Sequence, residues 1–236
     1  MKKDTTQKKK MIPSYAILPL LICVAVNFTV YIGTDKLMEH RNFYDLTLPI
    51  DRMVPVIPAF SVIYIGCYLF WIVNYIMITR MNRSHCYRFI LADVMSRLVC
   101  GFFYIVMPTT NVRPVVNGTD IFSQMLRWVY QIDDPTRLFP SIHCLVSWFC
   151  YIGIRGQKQI PKWYQRFSLV FAILVCVSTQ VTKQHYLIDA IGGILLVEVL
   201  YAWNKRSNAY LYVKGFFERV NASLRSLSRK KKGGYA

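Results

Sequence analysis

A histidine and an aspartate lie four residues apart near the start of an apolar run. They are His185 and Asp189, and on a helix they would share one face. A carboxylate beside an imidazole fixes the tautomer and stabilises the charged form, which leaves the other ring nitrogen free to attack an electrophile. The alternative interpretation is a structural pair that caps the helix.

A second histidine follows a Pro-Ser pair at the entry to another apolar run. Ser141 is a suitable N-cap residue, and the backbone N–H groups after it would face outward and could hold an anion. His143 lies in the first turn, where a near-neutral imidazole can protonate a leaving alkoxide. Taken alone the pattern is weak, since capping serines and interfacial histidines are common.

A guanidinium completes the set. Arg113 follows the third apolar run, and its planar fork suits phosphate oxygens, although a lone loop arginine is usually only solvated. Of the other two histidines, His85 falls on the opposite side of the predicted membrane and His40 has no matching surroundings. Together, a cation, a helix N-terminus, two histidines and a carboxylate supply the parts for phosphoryl transfer through a histidine intermediate.

Long apolar runs must position these residues. The chain has 236 residues, 54% of them hydrophobic and 17% charged. The runs predict an all-α polytopic membrane bundle of about six transmembrane helices. The predicted spans are Tyr15 to Gly33, Val56 to Ile78, Phe89 to Met107, Ile142 to Ile154, Phe167 to Val181, and Tyr186 to Trp203. Asp93 and Arg97 share a face of the third span and are expected to pair.

The distribution of basic residues predicts the orientation. With the N-terminus inside, most Lys and Arg residues fall in inner segments, so both termini are expected to be cytoplasmic and all three polar motifs extracytoplasmic. The protein is therefore expected in the cell membrane as a multi-pass protein. The net charge of +17 is interpreted as a topology signal and as affinity of the tails for anionic lipid, with no nucleic acid as partner.

The chain divides into three predicted regions. Residues 1–14 form a basic cytoplasmic tail, residues 15–205 the six-helix membrane domain, and residues 206–236 a second basic tail, expected to be disordered from Ser223. The longest outer loop has helical periodicity from Ile121, which indicates either a short interfacial helix or an irregular loop. The seven cysteines form no CxxC pair, so neither a metal site nor a disulfide framework is indicated.

The three motifs together resemble the type 2 phosphatidic acid phosphatase superfamily. Arg113-Pro114, Pro140-Ser141-Ile142-His143 and His185 with Asp189 match its pattern in order and spacing, over Pro108 to Gly193. The resemblance implies that His185 is the phosphorylated nucleophile, Asp189 its orienting partner and His143 the proton donor. It also implies that Arg113 and the Ser141 region hold the phosphate, with no metal or other cofactor.

Two departures concern the cations of that pattern. Val106 stands where the family has a lysine and Thr179 where it has an arginine, and Lys183 is expected to replace one of them. The segment from Ser178 to Tyr186 also looks like that of inositol phosphorylceramide and sphingomyelin synthases, which transfer a phosphorylated headgroup between lipids.

The sequence therefore predicts a lipid phosphatase. The segment Ile142 to Ile154 rises only about 20 Å as a helix, so its histidine is expected below the headgroup plane, where a phosphate would come attached to a lipid. The alternatives are a lipid headgroup phosphotransferase and a membrane scaffold with a degenerate site.

Overall fold

The computed structural model describes residues 11–38 and 41–233, with side chains to residue 223. The described chain is nearly all helical. Its helices are α1 (Ser14–Met38), α2 (Pro49–Met53), α3 (Ser61–Met81), α4 (Arg83–Val106), α5 (Ile121–Ile132), α6 (Ile142–Ile154), α7 (Lys162–Val181), α8 (Leu187–Arg206) and α9 (Tyr210–Gly233). A 3-10 turn, Pro58–Phe60, precedes α3, and two short parallel strands, β1 (Tyr44–Asp45) and β2 (Thr109–Thr110), pair beside the loops that carry the motifs.

Five of these helices are long and apolar enough to cross a membrane. They are α1, α3 with its preceding turn, α4, α7 and α8. Large apolar side chains stand exposed on their outer faces, as expected where lipid is the solvent: examples are Leu21, Leu69, Val170, Leu195 and Val199. Helix α6, counted as the fourth span in the sequence, has only 13 residues. The prediction of a helical bundle with several helices long and apolar enough to cross a membrane is confirmed, whereas the six-span count and the orientation of the termini stay predictions.

Helix α6 lies at the centre of the bundle. It packs against α3, α7 and α8, and most of its side chains are buried, including Leu145, Phe149 and Ile152. A helix that is apolar on all sides is stable only when it is surrounded. The helix that carries His143 is therefore held in place by α3, α7 and α8.

The expected pairing within α4 is confirmed. Arg97 Nη2 donates to Asp93 Oδ1 at 3.1 Å, and the Tyr75 hydroxyl donates to the same oxygen at 2.7 Å. Both charged side chains are buried. The pair places two opposite charges inside the bundle, where each lowers the cost of burying the other.

Two expectations about local structure have different outcomes. The region from Ile121 is a helix, α5, which Asp120 caps through the backbone N–H groups of Phe122 and Ser123. The expected disorder from Ser223 is wrong, because α9 runs from Tyr210 to Gly233. Its last turns contain several Leu, Arg and Lys residues, which are strong helix formers, and α9 packs against α4 and α1.

Candidate active site

The entry to α6 is fixed from three sides. The backbone N–H groups of Leu138 and Phe139 both donate to Thr109 Oγ1 at 2.9 Å. The Tyr104 hydroxyl donates to the Pro140 carbonyl at 2.9 Å, after a cis Phe139–Pro140 bond. Ser141 Oγ accepts the Cys144 N–H at 3.3 Å, which is the N-cap role predicted for it.

His185 lies in a tight turn between α7 and α8. The backbone N–H groups of Gln184 and His185 both donate to the Thr179 carbonyl, at 2.9 and 3.1 Å. Helix α8 begins only at Leu187, so the expectation that His185 and Asp189 share a helical face is wrong. The turn, and not a helix, brings the two side chains together.

The contact between His185 and Asp189 is nevertheless present. His185 Nδ1 lies 3.6 Å from Asp189 Oδ2, and this oxygen also accepts the Tyr186 N–H at 2.8 Å. Burial alone would lower the pKa of His185, but the Asp189 carboxylate, with a smaller contribution from Asp133, raises it above its usual value. With Nδ1 facing the carboxylate, Nε2 is the nitrogen available for reaction.

The His143 side chain on α6 and the His185 side chain in the turn before α8 lie close together. The ring centroids of His143 and His185 are 5.9 Å apart, although the two residues are separated by α7 in the sequence. Both line one cavity. At this separation the two imidazoles can contact the same phosphate group.

A phenol and a carboxylate lie behind His143. Tyr64 OH donates to Asp133 Oδ2 at 2.6 Å, and the phenol oxygen is 3.3 Å from His143 Nδ1. Because the single hydroxyl proton goes to Asp133, the phenol oxygen is left to accept from His143 Nδ1–H. This arrangement favours the tautomer with a free Nε2, which lies 3.3 Å from the Tyr68 hydroxyl.

Asp133 is a site residue that no sequence pattern indicates. It is the C-cap residue of α5, lines the cavity and also contacts the Tyr31 hydroxyl at 3.4 Å. Burial would raise the pKa of Asp133, but His143, the Tyr64 hydroxyl and other neighbours lower it, so the carboxyl is ionised at neutral pH. No sequence motif surrounds Asp133. The only signal in the sequence is its position at the end of the predicted helix α5.

Arg113 reaches the same cavity. Its Nη2 donates to Gln184 Oε1 at 2.6 Å, and its Nη1 donates to the carbonyls of Asp133 and Tyr130. Burial is the largest influence on the Arg113 pKa and lowers it, against the attraction of Asp133. Gln184 is almost fully buried, and its Nε2 has no hydrogen-bond partner in the described part of the chain. Arg113 and Gln184 thus offer a charge and a free amide donor.

Lys183 does not point to the cavity. Its Nζ donates to the Asp51 carbonyl at 2.6 Å, and burial lowers its pKa despite the nearby Asp51 carboxylate. The Asp51 carboxylate in turn accepts the Leu187 N–H at 2.9 Å, at the start of α8. Lys183 therefore does not replace a cation of the motif in this structure. Its amine instead connects α2 to the turn that carries His185.

Ser141 and the two substituted positions lie outside the cavity lining. Ser141 is fully buried, and its N–H donates to the Asp189 carbonyl at 3.0 Å, so it joins the two motifs through the backbone. Val106 is 55% exposed at the end of α4. Thr179 is buried beneath the His185 turn, where its hydroxyl donates to the Cys176 carbonyl. Neither position supplies a charge to the site.

The cavity itself is large and mostly apolar. It has a volume of 810 Å³ and extends from the two histidines along α1, α3 and α4. Its far end is lined by Ile12, Leu20 and Ile76, close to the opposite end of α1 and α3. A hydrocarbon chain would fit such a space, with the polar reaction centre at one end.

Comparisons with known proteins agree with the geometry. A family model described as the PAP2 superfamily matches residues 37–203. An uncharacterized protein of Methanocaldococcus jannaschii is 27% identical over 117 residues, which cover 49% of this chain and 46% of that protein. This chain thus matches about half the length of that relative. No solved structure matches.

Proposed function

This chain belongs to the PAP2 superfamily, and on that premise we propose that it is a membrane-bound lipid phosphatase acting through a phosphohistidine at His185. The observation that carries the proposal is the close pair of imidazoles, with ring centroids 5.9 Å apart, each with a carboxylate behind it. Arg113 and Gln184 beside them provide electrostatic and hydrogen-bond support for a phosphate group.

In the first step, His185 Nε2 attacks phosphorus. The P–N bond forms as the P–O bond to the lipid breaks, and His143, which enters this step protonated on both ring nitrogens, gives its Nε2 proton to the leaving oxygen. Asp189 stabilises the charge that develops on the His185 ring. Arg113 offsets the negative charge on the phosphate oxygens.

In the second step, water replaces the lipid. His143, now neutral, takes a proton from a water molecule, and the hydroxide oxygen bonds to phosphorus. The P–N bond breaks, its electron pair returns to His185, and inorganic phosphate leaves. The cycle restores both imidazoles and uses no metal.

The substrate is proposed to be a lipid monoester or diphosphate reached from the extracytoplasmic side. The apolar cavity beside His143 supports a hydrocarbon chain, and the excess of basic residues in the predicted inner segments supports the orientation. The basic tails are proposed to hold anionic lipid headgroups on the cytoplasmic face.

The test is phosphate release by the purified protein from phosphatidate and prenyl diphosphates with EDTA present. His185→Ala is expected to abolish release, and His143→Ala to slow it by about 10²- to 10⁴-fold. Vanadate is expected to inhibit, since its adduct with a histidine resembles the transition state. Release by His185→Ala at the wild-type rate would refute the assigned nucleophile.

The second candidate is a lipid headgroup phosphotransferase. The specific observation in its favour is the charge at the site: Val106 and Thr179 supply no cation, and the Asp133 carboxylate faces the same cavity. A reduced positive charge suits a singly charged phosphodiester better than a doubly charged monoester. The same His185 intermediate would then pass to a lipid hydroxyl in place of water.

Mass detection of both products separates the two candidates. Phosphatidate and, in a separate reaction, a phospholipid with a labelled headgroup are incubated with the protein, with and without diacylglycerol or ceramide as acceptor. Free phosphate without acceptor supports the phosphatase. New phospholipid that forms only with acceptor, without free phosphate, supports the transferase.

A further inference from the structure

The buried guanidinium of Arg97 has N–H groups without a hydrogen-bond acceptor among the described residues. Arg97 is only 3% exposed, and its Nη2 is paired with Asp93. Its Nε and Nη1 atoms are buried and have no hydrogen-bond partner within the described residues. A charged donor without a hydrogen-bond acceptor in an apolar interior is unfavourable. A ligand that supplies an acceptor to these two nitrogen atoms would therefore bind favourably.

Arg97 faces the reaction cavity. The residues that line the cavity include Asp93 and Arg97 as well as His143 and His185. Along α4, Arg97 is seven residues from Tyr104, or about 10 Å of helix. The Tyr104 hydroxyl reaches the Pro140 carbonyl at the α6 entry. Arg97 is therefore deeper than the histidines, on the path that a lipid chain would follow from the phosphate.

The depth and the surroundings restrict the acceptor. Arg97 lies about two helical turns along α4 from the residue that reaches the α6 entry, so a lipid whose phosphate lies at the histidines would bring the groups that follow its phosphate toward Arg97. In an acyl lipid, the next polar groups after the phosphate are the ester or amide carbonyls, separated from it only by the lipid backbone. A prenyl phosphate has no acceptor there and would leave the two donors unmet.

We propose that Arg97 binds the acyl carbonyl of the lipid, so that the site selects acyl lipids over lipids whose chains are pure hydrocarbon. The proposal rests on the proposed function, because it takes the histidines as the phosphate end of the cavity. Asp93 and Tyr75 hold the guanidinium in place, and Arg97 supplies the selectivity.

The test compares two ligands that differ only at the carbonyl. Dioleoyl phosphatidate and its dialkyl-ether counterpart have the same headgroup and chain length. Binding in nanodiscs is followed with brominated chains that quench Trp71 and Trp128, which both line the cavity. Wild-type protein is expected to bind the acyl lipid at least about tenfold more tightly, as for a hydrogen bond to a charged group.

Two variants remove the preference in different ways. Arg97→Lys keeps a positive charge beside Asp93 but loses the planar fork. The double variant Asp93→Asn with Arg97→Gln removes both charges, so it leaves no unpaired charge to unfold the bundle. In both, the acyl-to-ether ratio is expected to fall toward one, with little change for the ether lipid.

Arg88→Lys is the matched control. Arg88 lies on the same helix, but its guanidinium donates to the Asn204 carbonyl at 2.6 Å and is not among the cavity-lining residues. It is expected to keep the wild-type ratio. Equal wild-type affinity for the two lipids, or equal weakening of both by the Arg97 variants, would overturn the proposal.

The binding measurement also separates this proposal from the proposed function. If neither lipid releases phosphate yet the acyl preference is present and depends on Arg97, the carbonyl contact is supported and the phosphatase is not. If phosphate is released equally well from both lipids and binding shows no preference, the phosphatase is supported and the carbonyl contact is refuted.

Discussion

Each imidazole at the site has a carboxylate behind it, but the two are connected differently. Asp189 lies directly beside His185 Nδ1 at 3.6 Å, whereas Asp133 acts on His143 through the Tyr64 phenol. The direct contact raises the pKa of His185. The Tyr64 phenol orients the His143 ring and keeps the Asp133 carboxylate out of direct contact with it. The two imidazoles are therefore oriented by different contacts, a direct one at His185 and one relayed through a phenol at His143.

Replacing Asp189 by Asn is expected to change both the rate and its pH dependence. His185 must be neutral to attack, so the rate rises as the pH passes upward through its pKa. Because the carboxylate raises that pKa, Asp189→Asn should move the ascending limb to lower pH. The maximum rate should fall by up to about 10⁴-fold, since the tautomer is no longer fixed. A kcat/KM profile from pH 4 to 9 measures both; an unmoved limb would contradict the assigned contact.

Replacing Tyr64 by Phe tests the connection behind His143. The variant removes the acceptor of His143 Nδ1–H but keeps the stacked ring, whose centroid is 4.3 Å from that of His143. We expect kcat to fall by about tenfold or more with little change in KM.

Tyr31→Phe is the control, because Tyr31 contacts the same carboxylate at 3.4 Å without a hydrogen bond to His143. It should keep kcat within about twofold of wild type. Equal losses in the two variants would mean that only the Asp133 environment matters.

The sequence predicted four members of the site because each stands in a recognisable local pattern. Arg113, His143 and His185 line one cavity, and Asp189 contacts His185. Asp133 could not be predicted, since it reaches the site only through the path of the outer loop. The position of Lys183 two residues before His185 favours it as a phosphate ligand, but the turn directs its side chain toward Asp51.

At the scale of elements, the site depends on how closely α6 and α8 approach. A Cβ atom on Gly193 would lie 2.7 Å from the Ser141 carbonyl oxygen. One on Gly192 would lie 2.4 Å from the Phe139 ring. These glycines let α8 pack against the Pro-Ser entry of α6, so that the Ser141 N–H reaches the Asp189 carbonyl.

Gly193→Ala is therefore expected to separate the two motifs. The clash is with backbone, which cannot rotate away, so the variant should be less stable by about 1–3 kcal/mol and lose most of its activity. Thermal unfolding in detergent and phosphate release measure the two effects.

Gly215→Ala is the control, because its added methyl group meets nothing within 4 Å. It should leave the unfolding temperature and activity unchanged or slightly raised, since alanine favours helix. A stable and fully active Gly193→Ala protein would contradict the close packing.

Elements with apolar runs are predictable from the sequence, whereas the five-residue α2 and the basic α9 are not. Five runs became helices of 20 to 25 residues, because only a helix satisfies its backbone within the bilayer. The five-residue α2 has no periodicity to detect, yet Asp51 within it binds the His185 turn. Helix α9 was underestimated because its charge suggested solvation, although Phe217 is buried and stacks on Tyr87.

At the scale of the molecule, the bundle combines a polar reaction centre with an apolar path. The centre is held where the entries of α6 and α8 meet, and the path follows α1, α3 and α4. In the proposed orientation, the centre opens away from the cytoplasm. The phosphate then enters from one membrane face while the chains stay in the hydrocarbon region.

The orientation has its own test. Val115→Cys places a thiol in the loop before α5, at a side chain that is 84% exposed. Lys158→Cys places a thiol at an exposed position in the loop between α6 and α7. A membrane-impermeant maleimide added to intact cells is expected to label the first and not the second, until the membrane is opened. Labelling of only the second would invert the proposed topology.

The most direct measurement of the central claim is to trap the covalent intermediate. The protein is incubated briefly with phosphatidate carrying labelled phosphate and quenched in alkali, in which phosphohistidine survives, and its peptides are then sequenced by mass spectrometry. We expect acid-labile phosphate on His185 in the wild-type protein and in His143→Ala, and none in His185→Ala. Turnover with no label on His185, or label that persists in His185→Ala, would contradict it.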